Sequence, residues 1–189
     1  VRPEFRGQGI GLALWAAGMA RLAGRCVGLD GVPAQQANYR RSGFALAWQN
    51  LRYQGVAARL PDTDTPGVCV PLASVDFAAL CADDRRCFPA PRAAFLRAWI
   101  DQPGATGLAW QVDGRLVGWG LVRACRSGHK IGPLIADTPA VAAGLARALC
   151  AAVPAGDAVV LDVPLPNPGA VALAQRLGLQ PVFETARMY

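Results

Sequence analysis

The chain has 189 residues, of which 53% are apolar, and it carries a formal net charge of +6 at pH 7. This length suits one large or two small domains with a hydrophobic core, and the composition excludes a mainly disordered chain. The arginines that carry the charge are scattered and form no nucleic-acid-binding signature, so we expect no nucleic-acid partner. No apolar run reaches the roughly 18 residues of a membrane-spanning helix, so we expect no membrane partner.

The cysteines and histidine argue against a metal site. The six cysteines form no Cys-x-x-Cys pair, and the chain has one histidine. Their spacing within predicted strands and helices indicates buried, reduced thiols and a cytoplasmic protein. A disulfide between Cys81 and Cys87 is the open alternative.

The first predicted element is a glycine-rich turn that opens a helix over 8–23. Gly7, Gly9 and Gly11 leave backbone N–H groups bare, and the helix dipole adds partial positive charge, so the turn favours a phosphate or pyrophosphate. Arg6 adds a charge at its edge. A Walker loop is excluded because no lysine follows, and the G-x-G-x-x-G fingerprint fails at Leu12. A glycine turn without a ligand is the alternative.

The following elements are short and end in a linker. Residues 26–29 predict a buried parallel strand, and 34–42 predict a second helix. Residues 44–48 and 51–56 predict a hairpin that turns at Asn50. Two prolines and alternating Asp and Thr then indicate a linker, which we place at 57–67.

Residues 68–189 predict a second and more complete series of elements. Asp113-Gly114 is a favoured two-residue hairpin turn, and Pro139 lies near the start of an alanine- and leucine-rich helix. The predicted strands are 68–72, 107–112, 115–125, 130–135, 158–163 and 182–189, and the predicted helices are 74–82, 93–100, 138–152 and 168–177.

Two motifs together carry a family resemblance. Arg6, Gly9 and Gly11 fit the pattern Arg/Gln-x-x-Gly-x-Gly/Ala, and Tyr39 stands four residues before Gly43-Phe44. This order resembles the GCN5-related N-acetyltransferases (GNAT), and 129–137 and 161–164 look like the C-terminal domain of tandem members. The resemblance implies an α/β (α+β) protein with the GNAT acyl-CoA N-acyltransferase fold. It implies a partial first copy over 1–56 and a complete second copy over 68–189.

The resemblance also implies a co-substrate and site residues. Acetyl-CoA is the implied co-substrate, and its acceptor is a small-molecule amine or a peptide. A backbone amide near Val1 would polarise the thioester carbonyl, and Arg6 lies at the edge of the loop. Tyr39 would protonate the departing thiolate, or else pack beside the cofactor. The pyrophosphate would be held by the backbone amides of Gly7, Gln8, Gly9, Ile10 and Gly11.

No general base is assigned from the sequence. Asp30 and His129 are expected to have turn, helix-entry or strand-edge roles instead. Asp162 either points into a cleft of the second copy or caps a proline-rich loop. Many family members have Asn seven residues before the tyrosine, where this chain has Val32.

The second copy is interpreted as degenerate and non-catalytic. Aligned with the first loop, it has Ala136, Pro139 and Val141 in place of the arginine and the two glycines. Pro139 removes an N–H, and side chains hinder close approach of a pyrophosphate. Seven residues after Asn167 stands Ala174, where the family has tyrosine.

The position of the loop predicts a truncated first copy. Val1 precedes it so closely that the strand expected before the loop has little room. We therefore expect weak or no acetyl-CoA binding by the isolated chain, unless another chain, such as a second copy in a homo-oligomer, fills the gap. Two other functions stay open: a non-catalytic binding or scaffold module on a decayed acetyltransferase fold, and a site for another nucleotide such as ATP or NAD.

Overall fold

A computed structural model describes residues 1–58, 60–61 and 64–189. Within them, the fold is mixed α/β, with six α-helices and eight strands. Residues 59, 62 and 63 of the predicted linker lie outside the described residues. The helices are α1 (Ile10–Arg21), α2 (Gln36–Arg41), α3 (Phe77–Cys87), α4 (Ala93–Ile100), α5 (Pro139–Ala151) and α6 (Pro168–Arg176). The strands are β1 (Leu29–Gly31), β2 (Leu46–Val56), β3 (Val68–Pro71), β4 (Ala105–Val112), β5 (Arg115–Ala124), β6 (His129–Ala136), β7 (Ala158–Pro164) and β8 (Gln180–Met188).

The chain forms two compact units. Unit 1 consists of Val1–Trp48 with Thr185–Tyr189, and unit 2 of Gln49–Glu184. Strands β2 and β8 therefore each contribute residues to both units. The domain boundaries inferred from the sequence stay a prediction.

Unit 1 is built on the pairing of β1 with the end of β8. Leu29 lies opposite Met188, and Gly31 lies opposite Ala186, in an antiparallel register. The prediction of a parallel strand over 26–29 was therefore wrong in both its bounds and its direction. Its partner is the last strand of the chain, which no local pattern can indicate.

Helix α1 covers this small sheet with one side only. Its residues Trp15 and Met19 pack against a buried cluster of Phe44, Ala186 and Met188. None of the residues of α1 is itself buried. The helix predicted over 8–23 is observed over Ile10–Arg21, and Trp15 and Met19 are the side chains through which it contacts this cluster.

Unit 2 contains one sheet in which β6 and β7 are the parallel pair. Its strands follow the order β2, β7, β6, β5, β4, β3, and the first part of β8 lies beside β2. The parallel pairing runs from His129 opposite Val159 to Ile131 opposite Leu161. Because the pairing ends at Ile131 and Leu161, the two strands part beyond these residues.

The two predicted hairpins had opposite outcomes. The turn between β4 and β5 was confirmed: Asp113 and Gly114 have φ values of 50° and 74°, as a type I′ turn requires. The hairpin at Asn50 was wrong, because β2 is continuous and places Asn50 opposite Pro164 of β7. Asparagine disfavours strands locally, but pairing with a distant strand overrides that preference.

The core of unit 2 lies on both sides of its sheet. Helices α5 and α6 supply Leu145, Leu149 and Leu173, each at most 5% exposed. Trp119 is fully buried, and its Nε1 donates to Asp83 Oδ2 at 3.0 Å. The hydrogen bond satisfies the indole N–H, which would otherwise be costly to bury.

Candidate functional site

The glycine turn before α1 is held open by its backbone conformation. Gly7 and Gly9 have φ values of 79° and 76°, in the left-handed region that favours glycine. A Cβ atom built on either residue meets no heavy atom within 4 Å. Packing therefore does not demand glycine here, and the space above the turn is accessible to a ligand.

The N-terminus of α1 has no side-chain cap. Gly9 is the N-cap residue, and its carbonyl accepts from Ala13 N–H at 3.0 Å. The first N–H groups of a helix need an outside partner, and the helix dipole makes an anion a suitable one. The turn thus has the donor set and the positive potential that a phosphate group requires.

The predicted binding residues lie together at this turn and at the start of α1. Arg6 Nε donates to the Val1 carbonyl at 3.4 Å, a long and exposed hydrogen bond. A Cβ atom built on Gly11 lies 3.6 Å from Val1 Cγ2. Gln8 and Ile10 complete the turn and the first residue of α1. The sequence motif is therefore one continuous exposed segment that comprises the glycine turn and the start of α1.

Tyr39 is fixed by aromatic packing farther along α1. Its ring lies 5.5 Å from that of Trp15 and 6.4 Å from that of Phe44, measured between centroids. A Cβ atom on Gly31 would lie 3.0 Å from Tyr39 Cδ2, so the absence of a side chain at Gly31 makes room for the ring. Trp15 is five residues beyond Ile10, or about 8 Å along a helix axis. The contacts of Tyr39 join it to the middle of α1 and not to the glycine turn.

The start of α5 in unit 2 differs from that of α1. Thr138 is the N-cap, and its Oγ1 accepts from Val141 N–H at 3.2 Å. Pro139, the first helical residue, has no N–H to offer. Pro139 was expected near the start of this helix, whereas the threonine cap was not predicted. Threonine directly before an N-terminal proline is the signal that would have found it.

The acidic and histidine candidates form ion pairs and strand-edge contacts. Asp30 Oδ2 accepts from Arg187 at 3.0 Å within unit 1. His129 opens β6, and its Nδ1 lies 3.5 Å from Asp157 Oδ2. Neither lies in the glycine turn. Asp30 sits within β1, so a strand replaces the turn or helix-entry position expected for it.

Asp162 lines a cavity in unit 2 and is paired with two cations. Arg52 donates to both of its carboxylate oxygens, at 2.7 and 3.0 Å, and Lys130 Nζ donates to Oδ2. Burial alone would raise the pKa of Asp162, but the hydrogen bonds from Arg52 and Lys130 outweigh it and lower the pKa below its usual value. The carboxylate is therefore held in its charged form.

The cysteines are free thiols, and their burial varies. Cys81 and Cys87 are both unpaired, so the alternative of a disulfide between them was wrong. Cys26, Cys69 and Cys87 are exposed, which corrects the expectation of buried thiols. Burial raises the pKa of Cys150 to about 11, so this thiol stays protonated at neutral pH.

The part of the chain that the structure describes has neither a metal-binding cluster nor a membrane-spanning helix. No group of three or more His, Cys, Asp or Glu side chains there is arranged to hold a metal ion. Over the same residues, every helix is too short or too polar to cross a lipid bilayer.

Comparison with known proteins places the chain in a family. A family model described as acetyltransferase (GNAT) domain matches residues 80–189. The chain belongs to the GNAT acetyltransferase family. The fold expected from the two sequence motifs is therefore confirmed at the level of family and general architecture. GNAT proteins transfer acyl groups and generally use an acyl-CoA.

Relatives of this GNAT protein are longer than the chain. Holothin acyltransferase of Pseudoalteromonas sp. (strain SANK 73390) is 30% identical over 189 residues, which are 100% of this chain and 64% of that protein. The structure of a Pyrococcus horikoshii protein matches with a TM-score of 0.80 and 22% identity, over 100% of this chain and 62% of that one. A tandem GNAT protein from the clavulanic acid biosynthesis pathway matches with a TM-score of 0.67 and 17% identity, over 100% and 71%.

Proposed function

We propose that the chain is part of a tandem N-acetyltransferase that moves an acetyl group from acetyl-CoA to an amine. The observation that carries the proposal is the turn before α1, with Gly7 and Gly9 in left-handed conformations and open space above both. A diphosphate fits such a turn because several N–H groups converge on one anionic group. The residues present therefore suit the co-substrate that the family generally uses.

The proposed roles divide between the turn and α2. The backbone amides of Gly7 to Gly11 hold the pyrophosphate, and the Arg6 guanidinium adds a charge at the edge. An amide near Val1 would donate to the oxygen that becomes negative during attack. Bound acetyl-CoA supplies an acetyl group activated as a thioester. Tyr39 holds a phenolic proton that it would give to the departing sulfur.

Two exposed leucines of α1 support the tandem and truncated arrangement. Leu12 and Leu14 are 72% and 66% exposed, although both are large and apolar. Proteins rarely leave such side chains in water on one helix unless a further surface covers them. The longer relatives offer a segment of the right kind, so we propose that a further part of the same polypeptide packs on α1. A second copy of the chain is the competing occupant.

Matched glycine variants test the proposed binding site. Gly9→Leu and Gly24→Leu introduce the same side chain at residues with φ values of 76° and 75° and with the same open surroundings. Both changes strain the backbone equally, but only Gly9 belongs to the turn. We expect acetyl-CoA affinity, measured by isothermal titration calorimetry, to fall about tenfold or more for Gly9→Leu alone.

The comparison should use the 189-residue chain and, if the coding region continues before Val1, the polypeptide extended by those residues. Binding by the extended polypeptide that is insensitive to Gly9→Leu contradicts the proposed site. Binding without acetyl transfer to any of a panel of amines, followed as release of the CoA thiol, favours the scaffold module. Displacement of acetyl-CoA by ATP or NAD favours a different nucleotide. Monomeric, tight binding by the 189-residue chain contradicts the truncated arrangement.

A further inference from the structure

A second candidate site lies wholly within unit 2. A cavity of about 410 Å³ opens where β6 and β7 part. Thr138 and Asn167, which precede α5 and α6, lie on its wall together with Lys130 and Asp162. The volume is in the range of about 300–1,000 Å³ that holds small organic ligands.

Most of the N–H groups at the helix termini around this cavity are already satisfied or absent. At α5, Pro139 has no N–H, Val141 N–H donates to Thr138 Oγ1, and Ala142 N–H donates to the Thr138 carbonyl. At α6, Pro168 likewise has no N–H, and Asn167 Oδ1 accepts from Ala170 N–H at 3.0 Å. A diphosphate would find few donors here, so the ligand of this cavity is not a CoA diphosphate.

The carboxylates on the cavity wall are also committed, and each has two cationic partners. Asp162 accepts from Arg52 and Lys130. The second carboxylate is Asp137, which lies 2.8 Å from Arg86 NH1 and 3.7 Å from Arg115 NH1. Arg86 also pairs with Asp83, so the Asp137 cluster is balanced, whereas the Asp162 cluster has one more cation than anions. Neither carboxylate is left without a cation, so neither is available to neutralise an amine. The local charge favours an anionic ligand instead.

Lys130 is the cation best placed to receive that anion. Its side chain is 26% exposed and itself lines the cavity, whereas Arg86 and Arg115 are 59% and 74% exposed. An ammonium group has three N–H donors, and one of them is engaged with Asp162. Charges that are shielded from water interact more strongly than exposed ones.

The rest of the wall is mainly apolar. Strands and helices of the unit supply Ile131, Pro133, Leu134, Leu161, Val163 and Leu173. A ligand with a single charge at one end and a hydrocarbon body would match both parts of this lining.

We propose that this cavity binds a small amphipathic monocarboxylate, with its carboxylate at the Lys130 ammonium and its hydrocarbon part against these apolar side chains. The site is separate from the glycine turn, since every residue that carries the argument belongs to unit 2. It gives the degenerate second unit a ligand of its own.

Three probes of equal shape test the charge requirement. Phenylbutyrate, phenylbutanol and phenylbutylamine differ in their terminal group, and calorimetry with the 189-residue chain compares them. We expect one phenylbutyrate per chain and affinity about tenfold or more weaker for the other two. Failure of phenylbutyrate to bind, equal binding of the three, or preference for the amine overturns the proposal.

Variants at Lys130 test its position. Lys130→Met removes the charge and keeps most of the stem, and Asp162 retains Arg52 as a partner. We expect phenylbutyrate affinity to fall about tenfold or more in Lys130→Met and to stay within about threefold in Lys130→Arg. Arg176→Met removes an equal charge from the exposed end of α6 and should change nothing. Unaltered binding by Lys130→Met overturns the assignment.

A volume test and a competition test complete the experiment. Ala142→Leu places three more carbon atoms on the cavity wall and should abolish phenylbutyrate binding. If thermal unfolding shows that this variant does not fold, the Lys130 pair decides. Saturating CoA should leave phenylbutyrate binding unchanged, and displacement by CoA overturns the exclusion of a diphosphate.

Discussion

The N-termini of α1 and α5 begin in opposite ways. Helix α1 follows Gly9 without a side-chain cap, and none of its residues is buried. Helix α5 follows the cap residue Thr138, begins with Pro139, and buries much of its length, including Val141 and Leu145. A capped and buried helix start stabilises its unit. A bare and exposed start contributes little stability, which is why we assign it to a ligand.

The contrast extends to the residue proposed as the acid. Tyr39 is half-buried and presents a phenol, whereas Ala174, its counterpart in the motif comparison, is fully buried and presents a methyl group. In unit 2 this position therefore serves packing alone. Both differences point in the same direction, toward chemistry in unit 1 and a structural or binding role in unit 2.

The largest expected effect comes from Tyr39→Phe, introduced into a form of the protein in which the proposed acetyl transfer is measurable. The ring contacts with Trp15 and Phe44 remain, but the hydroxyl is lost. If Tyr39 is the general acid, kcat should fall by about 10²–10⁴-fold with little change in acetyl-CoA affinity. Steady-state kinetics across pH measures both. An unchanged kcat with an unchanged pH profile would show that Tyr39 only packs, and the contrast with Ala174 would lose its chemical meaning.

A reciprocal exchange at Gly11 and Val141, which correspond when the two loops are aligned, should separate stability from binding. Val141 is 5% exposed and packs in the core, so Val141→Gly should cost about 3 kcal/mol from lost burial, a cavity and poorer helix propensity. Gly11→Val places the same side chain on an exposed helix and should change stability by less than about 1 kcal/mol. Urea unfolding monitored by circular dichroism gives both values.

For Gly11→Val we expect the opposite for ligand binding, namely a clear effect where the effect on stability is small. Gly11→Val should weaken acetyl-CoA binding, while Gly18→Val, at a glycine later in α1 where a Cβ atom meets no heavy atom within 4 Å, should not. A large loss of stability in Gly11→Val, or equal affinities for the two α1 variants, would remove the distinction drawn between the helix starts.

The features that the sequence predicted correctly are local ones. Helix α4 was predicted with its observed bounds because its apolar residues repeat with the helical period. The β4–β5 turn was found because Asp113-Gly114 meets the demand for two left-handed residues. The glycine turn belongs to the same class, since its conformation depends on neighbouring residues.

The features that could not be predicted from the sequence depend on contacts between distant residues. Arg187 pairs with Asp30 across 157 positions, and Arg52 pairs with Asp162 across 110. The direction of β1 and the continuity of β2 depend on such pairing. The local sequence therefore predicted a parallel strand in place of β1 and a hairpin in place of β2. The Lys130–Asp162 cluster was missed for the same reason, and the roles proposed for the glycine turn and Tyr39 stay predictions.

A smaller effect should follow from removing the cap of α5. Thr138→Ala leaves Val141 N–H without its hydroxyl acceptor and should cost about 1 kcal/mol, while Thr138→Ser should cost less. Urea unfolding again measures the difference. If Thr138→Ala is as stable as the parent protein, the cap does not stabilise α5. The starts of α1 and α5 would then differ in geometry but not in the stability that a cap provides.

The smallest expected effect is a pH-dependent contribution from Asp162 in unit 2. Its pKa is lowered in the folded state, so its contribution is complete above the unfolded value near 3.8 and is lost as the pH falls through the folded value. Because the carboxylate is 39% exposed, screening limits the contribution to about 0.2–1 kcal/mol. Asp162→Asn should therefore be less stable than the parent at pH 7 and nearly equal to it at pH 2, as judged by urea unfolding.

Asp101→Asn, at an exposed carboxylate after α4, is the control. A stability difference for Asp162→Asn that persists unchanged to pH 2 would mean that the side chain acts through its shape, and the cluster would no longer supply the charge argument for an anion at Lys130.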